Sequence, residues 1–270
     1  MATAAEKRSA FRALHAQGCF VLPNPWDVGS ARMLEHLGFQ ALASTSSGFA
    51  WTQGRPDYGV TRADALEHLT TLCRSVNLPV NADFEAGFAD TPEGVAESVR
   101  LAVEAGVAGL SIEDRDLAAG RLYDLPAALE RLGAARRAID ASGGDTILVA
   151  RTELLLIDGT QVATAIDKLV ALAGAGADCL YAPGVRKPED IRAMARAVAP
   201  RPLNVLAMDP AMTLAQYADL GVRRVSVGGG LAKVGWGAVV AAARAMKDGS
   251  FAALAQGLPS SELNGAFAKG

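Results

Sequence analysis

A chain of 270 residues and 27.9 kDa is long enough for two small domains or for one α/β barrel, and either would bury a large core. With 50% hydrophobic residues, 20% charged residues and a net charge of −3, it is neither a disordered chain nor a basic nucleic-acid binder. Every apolar run is broken by Gly, Pro or a charge short of the roughly 18 residues that cross a bilayer. The mean hydropathy of +0.19 therefore reflects a soluble, folded core, and no membrane partner is expected. Cys19, Cys73 and Cys179 are scattered without a CxxC pair, and the N-terminus is polar with no signal-peptide core, which points to a reducing cytoplasm. All three cysteines fall in strand or helix patterns and read as small buried hydrophobes.

Short β-rich runs alternate with longer helical patterns along the whole chain, the signature of βα units on a parallel sheet. An amphipathic stretch at 6–17 comes first. Strand runs follow at 20–23, 40–44, 78–82, 109–113, 146–150, 178–181, 203–207 and 224–227. Between them apolar residues recur three and four apart, as at 62–75, 91–105, 125–141 and 161–175, so that each strand is followed by one helix. Gly38, Gly106 and Gly176 punctuate helix ends, and Thr91-Pro92-Glu93 marks a helix start. Eight such units predict one (β/α)8 TIM barrel over residues 1–249 with an N-terminal helix. A C-terminal helical tail over 250–270 then packs on its own barrel or on a neighbouring subunit. His15, His36 and His68 fall in helical segments and read as helix-surface residues.

Chemistry in this fold sits at the C-terminal ends of the strands, and there the residues are strongly polar. Thr45-Ser46-Ser47-Gly48 follows the second strand, Asp83-Phe84-Glu85 the third, Glu113-Asp114 the fourth and Arg151-Thr152-Glu153 the fifth. Carboxylates crowding the third and fourth strand mouths need a counter-charge. A hard divalent cation, Mg2+ or Mn2+, held by Asp83, Glu85 and Glu113 supplies one, and a solvated acidic rim is the alternative. The period-two spacing of Asp83 and Glu85 puts both on one face if the strand continues that far. Arg151 ends an apolar strand and is placed either to stabilise an enolate oxygen or to pair with Glu113 or Glu153. The Ser46 to Gly48 segment offers hydroxyls and amides to a carboxylate, or caps a helix. Asn204 faces either the distal part of a substrate or a hydrogen bond inside the barrel. Gly228, Gly229 and Gly230 make a tight turn or a phosphate loop, without the rest of any phosphate motif.

Ser46-Ser47-Gly48, Asp57, Asn81-Ala82-Asp83-Phe84-Glu85-Ala86-Gly87, Ser111-Ile112-Glu113-Asp114 and Ala150-Arg151-Thr152-Glu153 arrive in order with barrel spacing. Together they resemble the isocitrate lyase and phosphoenolpyruvate mutase superfamily, over roughly residues 11–247. The resemblance implies a Mg2+ site with Asp83 as direct ligand, Glu85 and Glu113 holding the metal through waters, and Asp57 as a catalytic member of the same acidic network. It implies that Ser47 and Gly48 bind the carboxylate of a small 2-oxo or 2-hydroxy acid, with Thr45 and Asn204 lining the substrate, and that Arg151 neutralises an enolate formed when a carbon-carbon bond breaks. It also implies a homotetramer, a dimer of dimers exchanging C-terminal helices. Residues 114–123 carry no cysteine where lyases of this family have one, and they lack the Lys-x-Phe-Pro-Lys pattern of the phosphonate-forming mutases. Phosphoenolpyruvate mutase-like or carboxyphosphonoenolpyruvate phosphonomutase-like activity, and a non-catalytic 2-oxo acid binder, are the alternatives.

Overall fold

The computed structural model describes residues 1–268. Helix α1 (Ala4–Ala16) starts at a capping box in which Thr3 and Glu6 satisfy each other's backbone amides. The chain then runs β1 (Phe20–Leu22), α2 (Val28–His36), β2 (Leu42–Ala43), α3 (Ser46–Thr52), α4 (Arg62–Ser75), β3 (Val80–Asp83), α5 (Pro92–Glu104) and β4 (Gly109–Glu113). A hairpin, β5 (Arg115–Asp116) and β6 (Arg121–Leu122), precedes α6 (Leu125–Ala141), β7 (Ile147–Arg151), α7 (Leu154–Ile157), α8 (Val162–Gly174) and β8 (Cys179–Tyr181). The last part holds α9 (Pro188–Val198), β9 (Leu203–Leu206), α10 (Leu214–Asp219), β10 (Arg224–Ser226), α11 (Gly230–Lys247), a 3-10 turn at Ala252–Gln256 and α12 (Ser260–Phe267).

Eight strands pair in parallel in the order β1-β10-β9-β8-β7-β4-β3-β2. The remaining seam is stitched by the Ala43 N–H donating to the Pro23 carbonyl at 3.0 Å and by Asn24 Nδ2 donating to the Ser44 carbonyl at 2.9 Å. The expected TIM barrel is therefore what forms. The series of one helix per strand holds only in outline: α3 and α7 are additional short helices, and the β5–β6 hairpin fills what reads as a loop. The run at 40–44 yields only the two-residue β2.

Strand alternation sorts side chains into two cores. Val80 and Ala82 of β3, Leu110 and Ile112 of β4, and Leu148 and Ala150 of β7 face outward and pack under the helices. Phe20, Leu22, Ala43, Ile147, Val149, Cys179 and Tyr181 fill the inside. Phe11 of α1 plugs the floor at 0% exposure, and its ring meets His15 edge-on at 4.6 Å. Of the three histidines expected on helix surfaces, His36 is exposed, whereas His15 is buried under the barrel and His68, half-buried, stacks on Phe49 at 3.9 Å between centroids. The three cysteines are free thiols, Cys73 and Cys179 buried and Cys19 partly so.

The tail turns back on its own chain, with Arg32 Nη2 donating to the Phe267 carbonyl at 2.7 Å and Ala266 buried. Residues 269 and 270 of the 250–270 segment lie outside the described residues. Helix α11 buries only Ala232 and leaves Val234, Trp236 and Val239 exposed.

Candidate active site

The inward alternation that builds the core also builds the site. Asp83, Glu113 and Arg151 are the last inward positions of β3, β4 and β7, neighbouring strands in which Glu113 is directly opposite Arg151 and Asp83 opposite Ser111. Arg151 Nη1 donates to Asp83 Oδ1 at 3.0 Å, and its Nε donates to Glu153 Oε1 at 2.6 Å and lies 3.3 Å from Glu113 Oε2. Burial disfavours the guanidinium, yet Glu113, Glu153 and Asp83 outweigh it and raise its pKa well above the ordinary value. Of the two sequence readings of Arg151, the structure shows the pairing: it ends its strand over the mouth and is held there by Glu113, Glu153 and Asp83. Asp114 braces the turn behind it, accepting from Thr152 Oγ1 at 2.7 Å and from the Glu153 N–H at 2.9 Å and pairing with Lys168.

Asp83 is held from the other side by Ser46, whose N–H and Oγ both donate to Oδ2 at 3.0 Å. Thr45 caps α3 by accepting from the Gly48 N–H at 3.2 Å and is 1% exposed, so its hydroxyl serves the helix start and Ser47 Oγ, 3.1 Å away. Gly48 is a packing requirement: a Cβ there would lie 2.6 Å from Thr45 Cγ2 and 3.0 Å from Trp26 Cβ. Of the glycines after β10, Gly229 has the same origin, since a Cβ there would lie 3.0 Å from Ser47 Oγ and 3.1 Å from the Trp51 ring, whereas Gly228 takes a left-handed φ of 52°. Asn204 sits inside the barrel, donating to Ser226 Oγ at 3.1 Å and accepting from Arg224 Nε at 2.8 Å.

Glu85 does not continue the strand. β3 stops at Asp83, and Glu85 takes a left-handed φ of 47° that turns its carboxylate into a buried position beside Asp83 and Glu113. Oε1 of Glu85 and Oε1 of Glu113 are both buried with no hydrogen-bond partner. Burial first, and then the charges of Asp83 and Glu113, push Glu85 up to about 8. Glu113 is likewise pushed up to about 8, chiefly by burial, with Arg151 opposing and Glu153 and Asp83 adding to the rise. Asp57 lies at the exposed rim, its carboxyl raised by partial desolvation and by Asp83.

Sequence reasoning missed Tyr58. It adopts φ 61°, and its hydroxyl faces Glu113 and Glu153, whose charges add to burial in raising the phenol's pKa. It also missed the space beside the carboxylates, a cavity of about 190 Å³ lined by Tyr58, Glu85, Phe88, Arg115 and Tyr123. Nε of Arg115 is buried there without an acceptor. The only hint was the loop's own ionisable residues.

These features bear on whether a metal fits. The donors are all oxygens, the set preferred by Mg2+ and Mn2+, and two of those oxygens are orphaned in the interior, where a dication would keep both carboxylates ionised. Among the described residues no three His, Cys, Asp or Glu side chains converge tightly enough to ligate an ion directly. A metal held here would therefore take most of its ligands from water and substrate.

The family described as phosphoenolpyruvate phosphomutase matches residues 11–247. An oxaloacetate decarboxylase of Rhodopseudomonas palustris is 31% identical over 95% of this chain and 91% of its own. A Burkholderia cenocepacia J2315 structure of the lyase/mutase class superposes with a TM-score of 0.94 at 44% identity, covering 98% of this chain and 97% of that one. An oxaloacetate acetylhydrolase bound to its product oxalate superposes with a TM-score of 0.86 at 25% identity, covering 97% and 94%.

Proposed function

The chain belongs to the phosphoenolpyruvate phosphomutase family, and on that premise we propose that it is a divalent-metal-dependent lyase or hydrolase cleaving a carbon-carbon bond of a small 2-oxo dicarboxylic acid of the oxaloacetate type. The observation that carries the reading is the pair of buried, unpartnered carboxylate oxygens on Glu85 and Glu113 beside the Asp83–Arg151 ion pair. Asp83 would hold the metal directly and Glu85 and Glu113 through water. When bound, Mg2+ or Mn2+ supplies Lewis-acid polarisation of the 2-oxo group.

The remaining work falls to side chains of this chain. Loss of a bond next to a 2-oxo group leaves an enolate, and the fixed guanidinium of Arg151 stabilises that charge as it develops. The Ser47 hydroxyl, with Gly48 holding the backbone close beneath it, binds the adjacent carboxylate. Arg115, whose Nε lacks an acceptor in the neighbouring cavity, binds the distal carboxylate and selects a diacid. Asp57 at the rim orients the attacking or departing group.

The missing loop cysteine fits this substrate class. A 2-hydroxy acid needs a base on its hydroxyl before its carbon-carbon bond can break, whereas loss of CO2 from a 2-oxo diacid needs no proton transfer in the bond-breaking step; the pyruvate enolate left behind then takes a proton at C3, which solvent supplies. The relatives acting on oxaloacetate by name support the same class. Product analysis by NMR over oxaloacetate, 2-methylisocitrate, 2,3-dimethylmalate and phosphonopyruvate tests it. Pyruvate, or oxalate with acetate, from oxaloacetate alone is expected; turnover of phosphonopyruvate would instead favour phosphonomutase chemistry, and binding without any product would favour a non-catalytic binder. The uncovered apolar residues of α11 further support a homo-oligomer, expected as a tetramer by light scattering. A monomeric mass would refute it.

A further inference from the structure

The loop that turns Glu85 into the site is gripped from outside by one side chain. Between β3 and α5, three of the four residues 85–88 take left-handed φ values, Glu85 at 47°, Gly87 at 85° and Phe88 at 51°, and two of them are not glycine. Backbone of that kind persists only where its surroundings fix it. The Gly87 N–H donates to the Phe84 carbonyl at 2.9 Å and the Glu113 N–H to the Glu85 carbonyl at 3.0 Å, but neither bond reaches residues 89 and 90. Arg131 of α6 does: Nη2 donates to the carbonyls of Ala86 at 2.6 Å and Ala89 at 2.7 Å, and Nη1 to that of Asp90 at 3.0 Å. Among the described residues no other side chain donates to a carbonyl of residues 85–90.

The same guanidinium lies over the face of the Tyr123 ring, 4.2 Å from its centre. Tyr123 follows β6 and its N–H is fixed on the Asp114 carbonyl at 2.9 Å, so Arg131 joins loops that leave two different strands of the barrel. Ala86, Ala89, Asp90 and Tyr123 all line the cavity of about 190 Å³ beside the carboxylates. Arg131 does not line it; at 3% exposure it stands behind the wall. Its Nε is without a partner, so the whole grip lies in the two Nη groups and the stacked plane. A lysine would keep the charge but not the fork or the plane, and would leave buried carbonyls unpaired.

We propose that Arg131 is a positioning residue: by clamping the β3–α5 loop to Tyr123 it holds the Glu85 carboxylate and the diacid cavity in one fixed relation. The proposal rests on the divalent-metal reading of Glu85, and its test separates the two with substrate-free protein. Mn2+ binding is followed by electron paramagnetic resonance in the wild type, Arg131→Lys, Glu85→Gln and the double variant. Arg131→Lys should weaken Mn2+ about tenfold, the size expected when a residue that orients a ligand is lost, and should cause no further loss in the Glu85→Gln background. Phe11→Ala, which destabilises the barrel from its floor, should leave Mn2+ affinity unchanged.

Hydrogen exchange of the metal-free protein gives the second readout. The Gly87 and Glu113 amides should exchange about tenfold faster in Arg131→Lys, while the amides of β8 keep their wild-type rates. Tyr123→Leu, which removes only the stacked ring, should speed the same two amides by a smaller factor and serves if Arg131→Lys does not fold. Wild-type Mn2+ affinity in Arg131→Lys, an equal loss in the Glu85→Gln background, or unchanged exchange of both amides in these variants would overturn the clamp. A wild type that binds no Mn2+ would overturn the metal reading instead, and the exchange rates would then decide the role of Arg131.

Discussion

At the mouth of the barrel Arg151 is gripped by Asp83, Glu113 and Glu153, whereas toward the floor Arg224 is held by two asparagines and a neutral histidine. The mouth carries more carboxylates than its arginine can match, and toward the floor no carboxylate pairs with Arg224 among the described residues. The difference teaches where each end obtains its stability. The floor is closed by apolar contacts around Phe11, Phe20 and His15, while the mouth leaves buried carboxylate oxygens of Glu85 and Glu113 unsatisfied. Unsatisfied groups at one end of an otherwise well-packed core mark the functional end.

Changes at the two ends should therefore separate activity from stability. Asp83→Ala should abolish turnover, and Arg151→Met should lower kcat by about 10²–10³, as expected when one charge-stabilising donor is lost. Steady-state kinetics under saturating metal check both, and full activity in Asp83→Ala would sink the metal assignment. Phe11→Ala should do the reverse, costing about 3–5 kcal/mol in denaturant unfolding through the cavity it leaves, with kcat in the surviving fold unchanged. Next in size, Arg115→Leu should raise KM for a diacid about tenfold with little change in kcat, the mark of lost ground-state binding; an unchanged KM would remove Arg115 from the substrate.

A separate effect is on pH. Glu85 and Glu113 sit near 8 in the fold against 4.5 when exposed, so the folded state binds more protons across that window. Stability of the chelated protein is then greatest below about 4.5, as far as these groups are concerned, and declines as pH rises toward 8. Saturating Mg2+ or Mn2+ should flatten the decline, since binding requires the ionised carboxylates. Urea midpoints across this range, with EDTA and with metal, measure both slopes; parallel slopes would contradict the link.

Much of this was legible in the sequence because the relevant physics is local. Period-three-to-four apolar spacing located α4 and α6 at their full extents, and reading the C-terminal ends of the strands singled out Asp83, Glu113 and Arg151, which the structure brings together at the mouth. What stayed hidden depends on backbone turns and distant contacts. No spacing rule foretells that Glu85 and Tyr58 adopt left-handed φ values and so reach Glu113. His15 looked like a helix-surface residue because helical periodicity does not reveal that α1 lies beneath the barrel, and Arg224 sits in a short strand whose interior partners come from α1, β3 and β9. The grip of Ser46 on Asp83 was likewise hidden, because it depends on where α3 starts.

The central claim, that the acidic mouth is a divalent-metal site for enolate chemistry on a 2-oxo diacid, is tested most directly by following oxaloacetate turnover in protein stripped with EDTA and then titrated with Mg2+ or Mn2+. The account predicts no turnover above the metal-only background in the stripped protein and saturable recovery with added metal. Turnover that persists undiminished after chelation would contradict it.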